Sequence, residues 1–334
     1  MTTNPPPLLI DRFGRIVNYV RVSITDRCDF RCIYCMGEDM TFLPRAQILT
    51  LEEIETVCQA FVELGVDKIR ITGGEPLVRK GSMGLLRNLG HIKGLRELVL
   101  TTNGSQLQTM AGELKSCGVK RINISLDTLN ETLFKQMTRV GDLNTVLRGI
   151  NTAIEAGFQR IKLNAVILKN RNHQEVCSLV DFAVTKNIDI SFIEEMPLGL
   201  VDSHDRAEEY YSSDSIRADL ERQFTLLPCT ENTGGPSRYF RVAGSETKVG
   251  FISPHSHNFC GSCNRVRLTA EGRLLLCLGN EHSVDLKRVL RANPTDLGKV
   301  KSAIVGAMQI KPEKHEFDLA EKPLIFRHMS ATGG

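Results

Sequence analysis

The tightest constraint on how this chain folds is an alternation of short apolar runs and amphipathic stretches from Ile16 to about Glu195. The apolar runs fall at 18–24, 68–72, 97–101, 121–126, 160–167 and 188–193, with helical patterns at 51–64, 106–117, 143–156 and 174–185 between them. The runs mostly recur every 25–40 residues or so, the length of a βα unit. Thr50 and Glu53 have the spacing of a capping box. Gly65, Gly118 and Gly157 stand where a left-handed residue ends a helix. Strands joined through helices run parallel. The expected fold is therefore α/β: an open, partial (βα)6 barrel of the TIM type, two units short of closure. In such a sheet, functional groups gather at the C-terminal strand ends. Cys28, Cys32 and Cys35 follow the first run, and Gly73-Gly74-Glu75-Pro76 the second. Thr101-Thr102-Asn103-Gly104 follows the third, and Ser125 and Asp127 close the fourth.

Near Leu198 the pattern changes. Residues 199–213 are polar and acid-rich and read as a linker or mobile loop. A helix is expected at 215–222, strands at 238–242, 248–251, 265–269 and 274–278, and helices at 284–290 and 294–308. Ala270-Glu271-Gly272-Arg273 is a hairpin turn. Two regions are expected: 1–214, the barrel with its linker, and 215–334, an α+β extension.

The chain has 334 residues and ten cysteines, at 28, 32, 35, 58, 117, 177, 229, 260, 263 and 277. No apolar run approaches the roughly 20 residues of a membrane span. The start, MTTNPPPLLIDRFGR, has the pattern of neither a signal nor a transit peptide, so the expected compartment is the cytoplasm. There, cysteines serve metals or catalysis rather than disulfides. A net charge of +3 gives no global field for nucleic acid.

Cys28, Cys32 and Cys35 form C-x3-C-x2-C on one loop. Three thiolates can hold three irons of a cubane [4Fe–4S] cluster and leave the fourth iron open, whereas a structural zinc or a ferredoxin cluster takes four protein ligands. Cys260, Cys263 and Cys277 form C-x2-C-x13-C, again one ligand short. A zinc site completed by His255, His257 or His282 is the alternative for this second triad. Cys58, Cys117 and Cys177 lie on helical patterns and read as small buried hydrophobes.

The first triad, with Tyr34 before its last cysteine and a Gly-Gly-Glu-Pro element after the second strand, resembles the radical S-adenosylmethionine (SAM) superfamily. Six further segments extend the likeness: 21–28, 68–76, 101–104, 121–127, 192–197 and 259–267, together with the closing Gly333-Gly334. With these the chain resembles the GTP 3′,8-cyclases of molybdenum cofactor biosynthesis along nearly its whole length. The resemblance implies two [4Fe–4S] clusters, on Cys28, Cys32 and Cys35 and on Cys260, Cys263 and Cys277. It implies that SAM is held at Tyr34, Gly74, Ser125 and Met196. It implies that GTP is held at Arg21, Arg70, Thr101, Lys162, Arg265 and Arg267, and that Arg265, Arg267, Gly333 and Gly334 have catalytic roles. A 5′-deoxyadenosyl radical would take the ribose 3′ hydrogen of GTP, and the carbon radical would add to C8 of guanine. The second cluster would bind guanine through its open iron. An electron donor such as flavodoxin or ferredoxin, a product passed to cyclic pyranopterin monophosphate synthase, and a monomer or homodimer are also implied.

A triphosphate needs arginine and lysine donors. Charged residues inside apolar strands are costly without a partner, so Arg21, Arg70 and Lys162 read as ligands rather than surface charge. One departure from the family pattern is Met329-Ser-Ala-Thr before the final glycines, where a larger apolar residue is expected. The competing functions are a peptide-maturing radical SAM enzyme with an auxiliary cluster, and a zinc-bearing nucleic-acid module. The single C-terminal triad followed by Arg-x-Arg favours the cyclase over the first. Weak charge, without interleaved basic and aromatic residues, argues against the second.

Overall fold

The structure, a computed structural model, describes residues 8–37, 39–199, 203, 205–231, 233–318 and 327–333. Six parallel strands carry the repeat: β1 (Tyr19–Ser23), β2 (Lys68–Thr72), β3 (Glu97–Thr102), β4 (Val119–Ser125), β5 (Arg160–Ile167) and β6 (Asp189–Glu194). The helices between them are α1 (Leu51–Glu63), α2 (Ser82–Gly90), α3 (Leu107–Ser116), α4 (Glu131–Thr138), α5 (Leu143–Glu155) and α6 (Val176–Lys186). Thr50 makes both bonds of its capping box with Glu53. Gly65, Gly118 and Gly157 all have positive φ.

After β6 come α7 (Ser213–Leu220), β7 (Leu226–Pro228), β8 (Arg238–Val242), β9 (Lys248–Ile252), β10 (Arg265–Leu268), β11 (Arg273–Leu275), β12 (Ser283–Asp285), α8 (Leu286–Ala292), α9 (Leu297–Met308) and the single turn α10 (Met329–Thr332). These strands join the barrel sheet at both of its edges. β10 pairs parallel with β1, and β9 parallel with β6. The sheet order is β12-β11-β10-β1-β2-β3-β4-β5-β6-β9-β8-β7, open between its ends. Eight consecutive strands are thus parallel, six from the repeat and one from each flank. The core of apolar side chains, including Phe61, Phe192, Ile54 and Leu86, lies between the sheet and the helices.

Several expectations need correction: the helix expected at 215–222 runs Ser213–Leu220, and the one expected at 294–308 starts at Leu297. The helix expected at 284–290 begins two residues later, at Leu286. Asp285 accepts from Arg288 N at 2.9 Å and caps it, and the preceding residues form β12. The strand expected to reach 278 ends at Leu275, so Cys277 sits in a loop, free of the ladder. The acid-rich segment also proves well tied where it is described. Tyr210 bridges to Leu168, Lys169 N donates to Glu209 O at 2.7 Å, and Arg206 pairs with Glu195 at 3.0 Å.

Candidate active site

In a β-strand alternate residues share a face, and the inward face of these strands is polar. Strand register sets Arg267, Arg21 and Arg70 side by side on β10, β1 and β2. One step down lie Arg265, Tyr19 and Lys68. Across the barrel, Thr101, Asn123 and Lys162 are adjacent on β3, β4 and β5. All of these side chains line one cavity, so the expected GTP residues are brought together.

Their partners are largely other donors or neutral groups. Arg70 donates from Nη1 to Thr101 Oγ1 at 2.9 Å and from Nε to the Tyr19 hydroxyl. Lys162 donates to the Tyr239 hydroxyl at 3.0 Å. Glu97 is taken by Lys68 at 2.9 Å and Arg121 at 2.6 Å. Among the described residues no carboxylate is paired with Arg70, Arg265 or Arg267. The titrations register this surplus of positive charge. Burial and then the Arg265 guanidinium bring Arg267 down to about 10. Burial followed by Arg267 takes Arg21 well below its ordinary value. For Tyr19, burial pushes the phenol up, but Arg70, Arg21 and Lys68 outweigh it and bring the value down to about 7. Burial likewise raises Tyr239, and Lys162 reverses it to about 8. A partly buried array of this kind is completed by a polyanion.

The first triad occupies one wall of this cavity. Its loop is tied to the end of α4: Arg31 N donates to Thr138 O at 3.0 Å and Ile33 N to Met137 O at 2.9 Å. Phe30 N at 3.3 Å and Asn103 Nδ2 at 3.8 Å point at Cys28 Sγ. Burial pushes the Cys28 and Cys35 thiols up to about 12. They need a positive core between them to be thiolates, which an iron–sulfur cluster supplies. The donors aimed at Cys28 sulfur fit that state.

Tyr34, Gly74, Ser125 and Met196 line the same cavity. Tyr34 donates to Asp127 Oδ2 at 2.7 Å, and Asp127 Oδ1 accepts from Val166 N at 2.8 Å. Burial raises Asp127 to about 6 in spite of both donors. The glycines of the Gly-Gly-Glu-Pro element serve backbone packing. A Cβ on Gly74 would lie 2.6 Å from Arg27 C and 2.8 Å from Asp26 O. The element is therefore pressed onto the chain entering Cys28, with Glu75 N donating to Arg27 O at 2.8 Å. Glu75 is fully buried and accepts from Asn103 N at 2.6 Å, Thr102 Oγ1 at 2.9 Å and Leu77 N at 3.0 Å.

Cys260, Cys263 and Cys277 also line the cavity. Cys260 opens a short 3₁₀ turn, and Cys263 N closes it onto Cys260 O at 3.0 Å. Burial would raise the Cys263 thiol, yet Arg265 and Lys311 hold it below its ordinary value, which suits a thiolate ligand. Two of the histidines considered as fourth ligands are engaged elsewhere: His255 Nε2 contacts Glu195 O at 2.8 Å and His257 Nε2 contacts Asp214 Oδ1 at 2.8 Å. Among the described residues no three His, Cys, Asp or Glu are gathered closely enough for a single metal ion.

The tail reaches the barrel mouth. Gly333 has φ +79°, and its carbonyl accepts from Arg267 Nη1. Ser330 and Thr332 are buried, so small residues fill the place where a larger apolar one is expected. Gly334 lies outside the described residues. Of the lone cysteines, Cys58 and Cys117 are buried, while Cys177 is only half-buried.

Sequence reasoning passed over Lys68, Tyr19, Tyr239 and Lys311. Lys68 precedes Arg70 by two residues, so strand alternation alone would have found it. Tyr239 and Lys311 are brought in from distant segments and carry no local signal.

Comparison with known proteins places this geometry. Residues 22–183 match the radical SAM superfamily, and residues 188–317 match the family described as Molybdenum Cofactor Synthesis C. The chain is 60% identical over 326 residues to a GTP 3′,8-cyclase of Saccharophagus degradans, covering 98% of each. It is 58% identical to that of Marinobacter nauticus, covering 99% of this chain and 100% of the relative. Among solved structures, SuiB of Streptococcus suis bound to S-adenosylmethionine has a TM-score of 0.61 at 15% identity, over 93% of this chain and 79% of SuiB. That likeness is one of fold. Among the described residues no helix is long and apolar enough to cross a membrane. The barrel, the cysteine loop at its C-terminal rim and the full-length identity together place the chain in the GTP 3′,8-cyclase family of radical SAM enzymes.

Proposed function

We propose that this chain converts GTP to (8S)-3′,8-cyclo-7,8-dihydroguanosine 5′-triphosphate, the first step of molybdenum cofactor biosynthesis. The observation that carries the substrate assignment is the cationic cavity between two cysteine triads: Arg21, Arg70, Lys162, Arg265 and Arg267 converge there, and among the described residues no carboxylate is paired with Arg70, Lys162, Arg265 or Arg267. When bound, the cluster on Cys28, Cys32 and Cys35 supplies the electron that cleaves SAM to the radical taking the ribose 3′ hydrogen.

The chain's own residues bind, orient and shield. Tyr34 closes over the cofactor side, fixed by Asp127. The Gly-Gly-Glu-Pro element and Ser125 shape the adjoining wall, and Met196 covers it. The guanidiniums of Arg21, Arg70, Arg265 and Arg267 and the Lys162 ammonium hold the triphosphate and set the ribose against the first triad. Thr101 keeps Arg70 in place. Cys260, Cys263 and Cys277 would hold a second [4Fe–4S] cluster, which would supply an open iron for the guanine. Gly333 closes the mouth over Arg267, and Gly334 takes its catalytic role from the family resemblance alone. An electron donor of the flavodoxin or ferredoxin kind, and transfer of product to cyclic pyranopterin monophosphate synthase, complete the proposal.

The test is anaerobic incubation of reconstituted protein with SAM, dithionite and GTP. Cyclised nucleotide and 5′-deoxyadenosine should accumulate together. SAM cleavage with GTP recovered unchanged would overturn the substrate assignment.

A further inference from the structure

Behind the second triad stands a lysine with no carboxylate paired to it among the described residues. Lys311 is 1% exposed. Its ammonium donates to Leu276 O at 3.0 Å and to Cys263 Sγ at 3.7 Å, and among the described residues no carboxylate is paired with it. Removing an ammonium from water costs several kcal/mol unless a counter-charge is supplied. One carbonyl does not supply it. A cubane does: a core with two positive charges held by three thiolates is an anion overall, and more so after one-electron reduction.

The segment that delivers Lys311 is fixed from the other end of the chain. Arg15 donates from Nη1 to Cys260 O at 2.9 Å and to Glu313 O at 2.7 Å, and from Nη2 to Pro312 O at 2.7 Å. Asp11 orients that guanidinium at 2.6 Å. One side chain therefore ties the two residues after Lys311 to the first cysteine of the triad. Lys311 does not line the substrate cavity, so its charge is directed at the thiolates and not at the nucleotide.

We propose that Lys311 is the resident counter-cation of a cluster on Cys260, Cys263 and Cys277, raising its reduction potential, and that Arg15 is the positioning residue that holds Lys311 in register. This rests on the reading that the second triad holds a cubane.

The experiment uses full-length protein carrying Cys28→Ala, Cys32→Ala and Cys35→Ala, so that only the second triad can load. After anaerobic reconstitution, iron and sulfide are counted and the midpoint potential is followed by electron paramagnetic resonance. Lys311→Met should shift the reduction equilibrium at least tenfold against reduction, about 59 mV for one electron. Lys311→Arg should stay within twofold of the parent. Arg15→Gln should release iron to a chelator several-fold faster. In metal-free protein, Lys311→Met should unfold at no lower urea concentration than the parent, because it removes an uncompensated charge. A parent that binds no iron overturns the cluster reading and the proposal with it. Iron bound by Lys311→Met at an unchanged potential overturns the proposal alone, as does a metal-free Lys311→Met that fails to fold. Loss of iron in Lys311→Met but not in Lys311→Arg supports it, and loss in both overturns it.

Discussion

Replacing Gly333 by alanine tests how the tail meets the cavity. Gly333 has φ +79°, which in a residue with a side chain costs about 1–2 kcal/mol. The added methyl would overlap Thr72 Oγ1 and lie 2.9 Å from Thr72 Cβ. Thr72 cannot retreat: it is 1% exposed, within β2, and its hydroxyl is bonded to Val22 O at 3.3 Å. The tail must then lift, losing the bond from Arg267 to Gly333 O, worth about 1.5–3 kcal/mol for a charged donor. The combined penalty is about 2.5–5 kcal/mol, limited by the free energy of docking the tail. At about 1.4 kcal/mol per decade, the docked population falls by roughly two orders of magnitude or more. The global fold rests on the sheet and should not change. The assay compares cyclised nucleotide with 5′-deoxyadenosine under reducing, anaerobic conditions, with melting temperature as control. Cyclisation should drop roughly 100-fold or more while the melting temperature holds. Adding Thr72→Ala removes the hydroxyl but keeps its Cβ, so the double variant should recover only part of the activity. Gly333→Ala within threefold of wild type would refute the argument.

Single substitutions should separate the triads: Cys32→Ala abolishes SAM cleavage, whereas Cys277→Ala leaves SAM cleavage and ends GTP turnover, and equal loss of both activities in Cys277→Ala would contradict the division. Gly74→Ala pushes a methyl into the backbone of Asp26 and Arg27, so it should destabilise by about 1–3 kcal/mol and loosen iron on the first triad, read by urea unfolding and iron content. The pKa of Asp127 stands at about 6 against an ordinary 3.8, so the folded state keeps a proton that the unfolded chain releases. Its contribution is full below pH 3.8 and lost as pH rises through 6, by about 3 kcal/mol at most. Asp127→Asn should remove that decline, and a stability difference from wild type that is the same at pH 4 and pH 7 would count against it.

The repeat of apolar runs made the βα architecture legible, because burying a parallel strand on both faces requires continuous apolar sequence. The interruptions of those runs were equally readable. Lysine or arginine within a buried strand needs a partner, and Arg21, Arg70 and Lys162 do face the cavity. The first triad was visible because three ligands on one short loop form a local pattern; of the second, only the Cys260–Cys263 pair is local, with Cys277 beyond the β10–β11 hairpin. The helix stop at Gly65 and the cap at Thr50 were likewise local. The strand expected through Cys277 failed because its end is set by the loop it joins rather than by its own residues.

By itself, then, the sequence determined what depends on neighbours along the chain: the βα period, the caps, the cysteine spacings and the charges placed within strands. Only the tertiary structure decided that β10 and β9 extend the barrel sheet at its two edges, since pairing between segments far apart in the chain, Tyr19 with Arg265 and Ile190 with Val249, leaves no periodic trace. That pairing sets Arg267 beside Arg21 and brings both triads to one cavity. It also decided that Lys311 is closed in behind Cys263 and that Arg15, from the opposite end of the chain, holds the segment carrying it. These contacts are made by burial and register between distant segments, which no local pattern records.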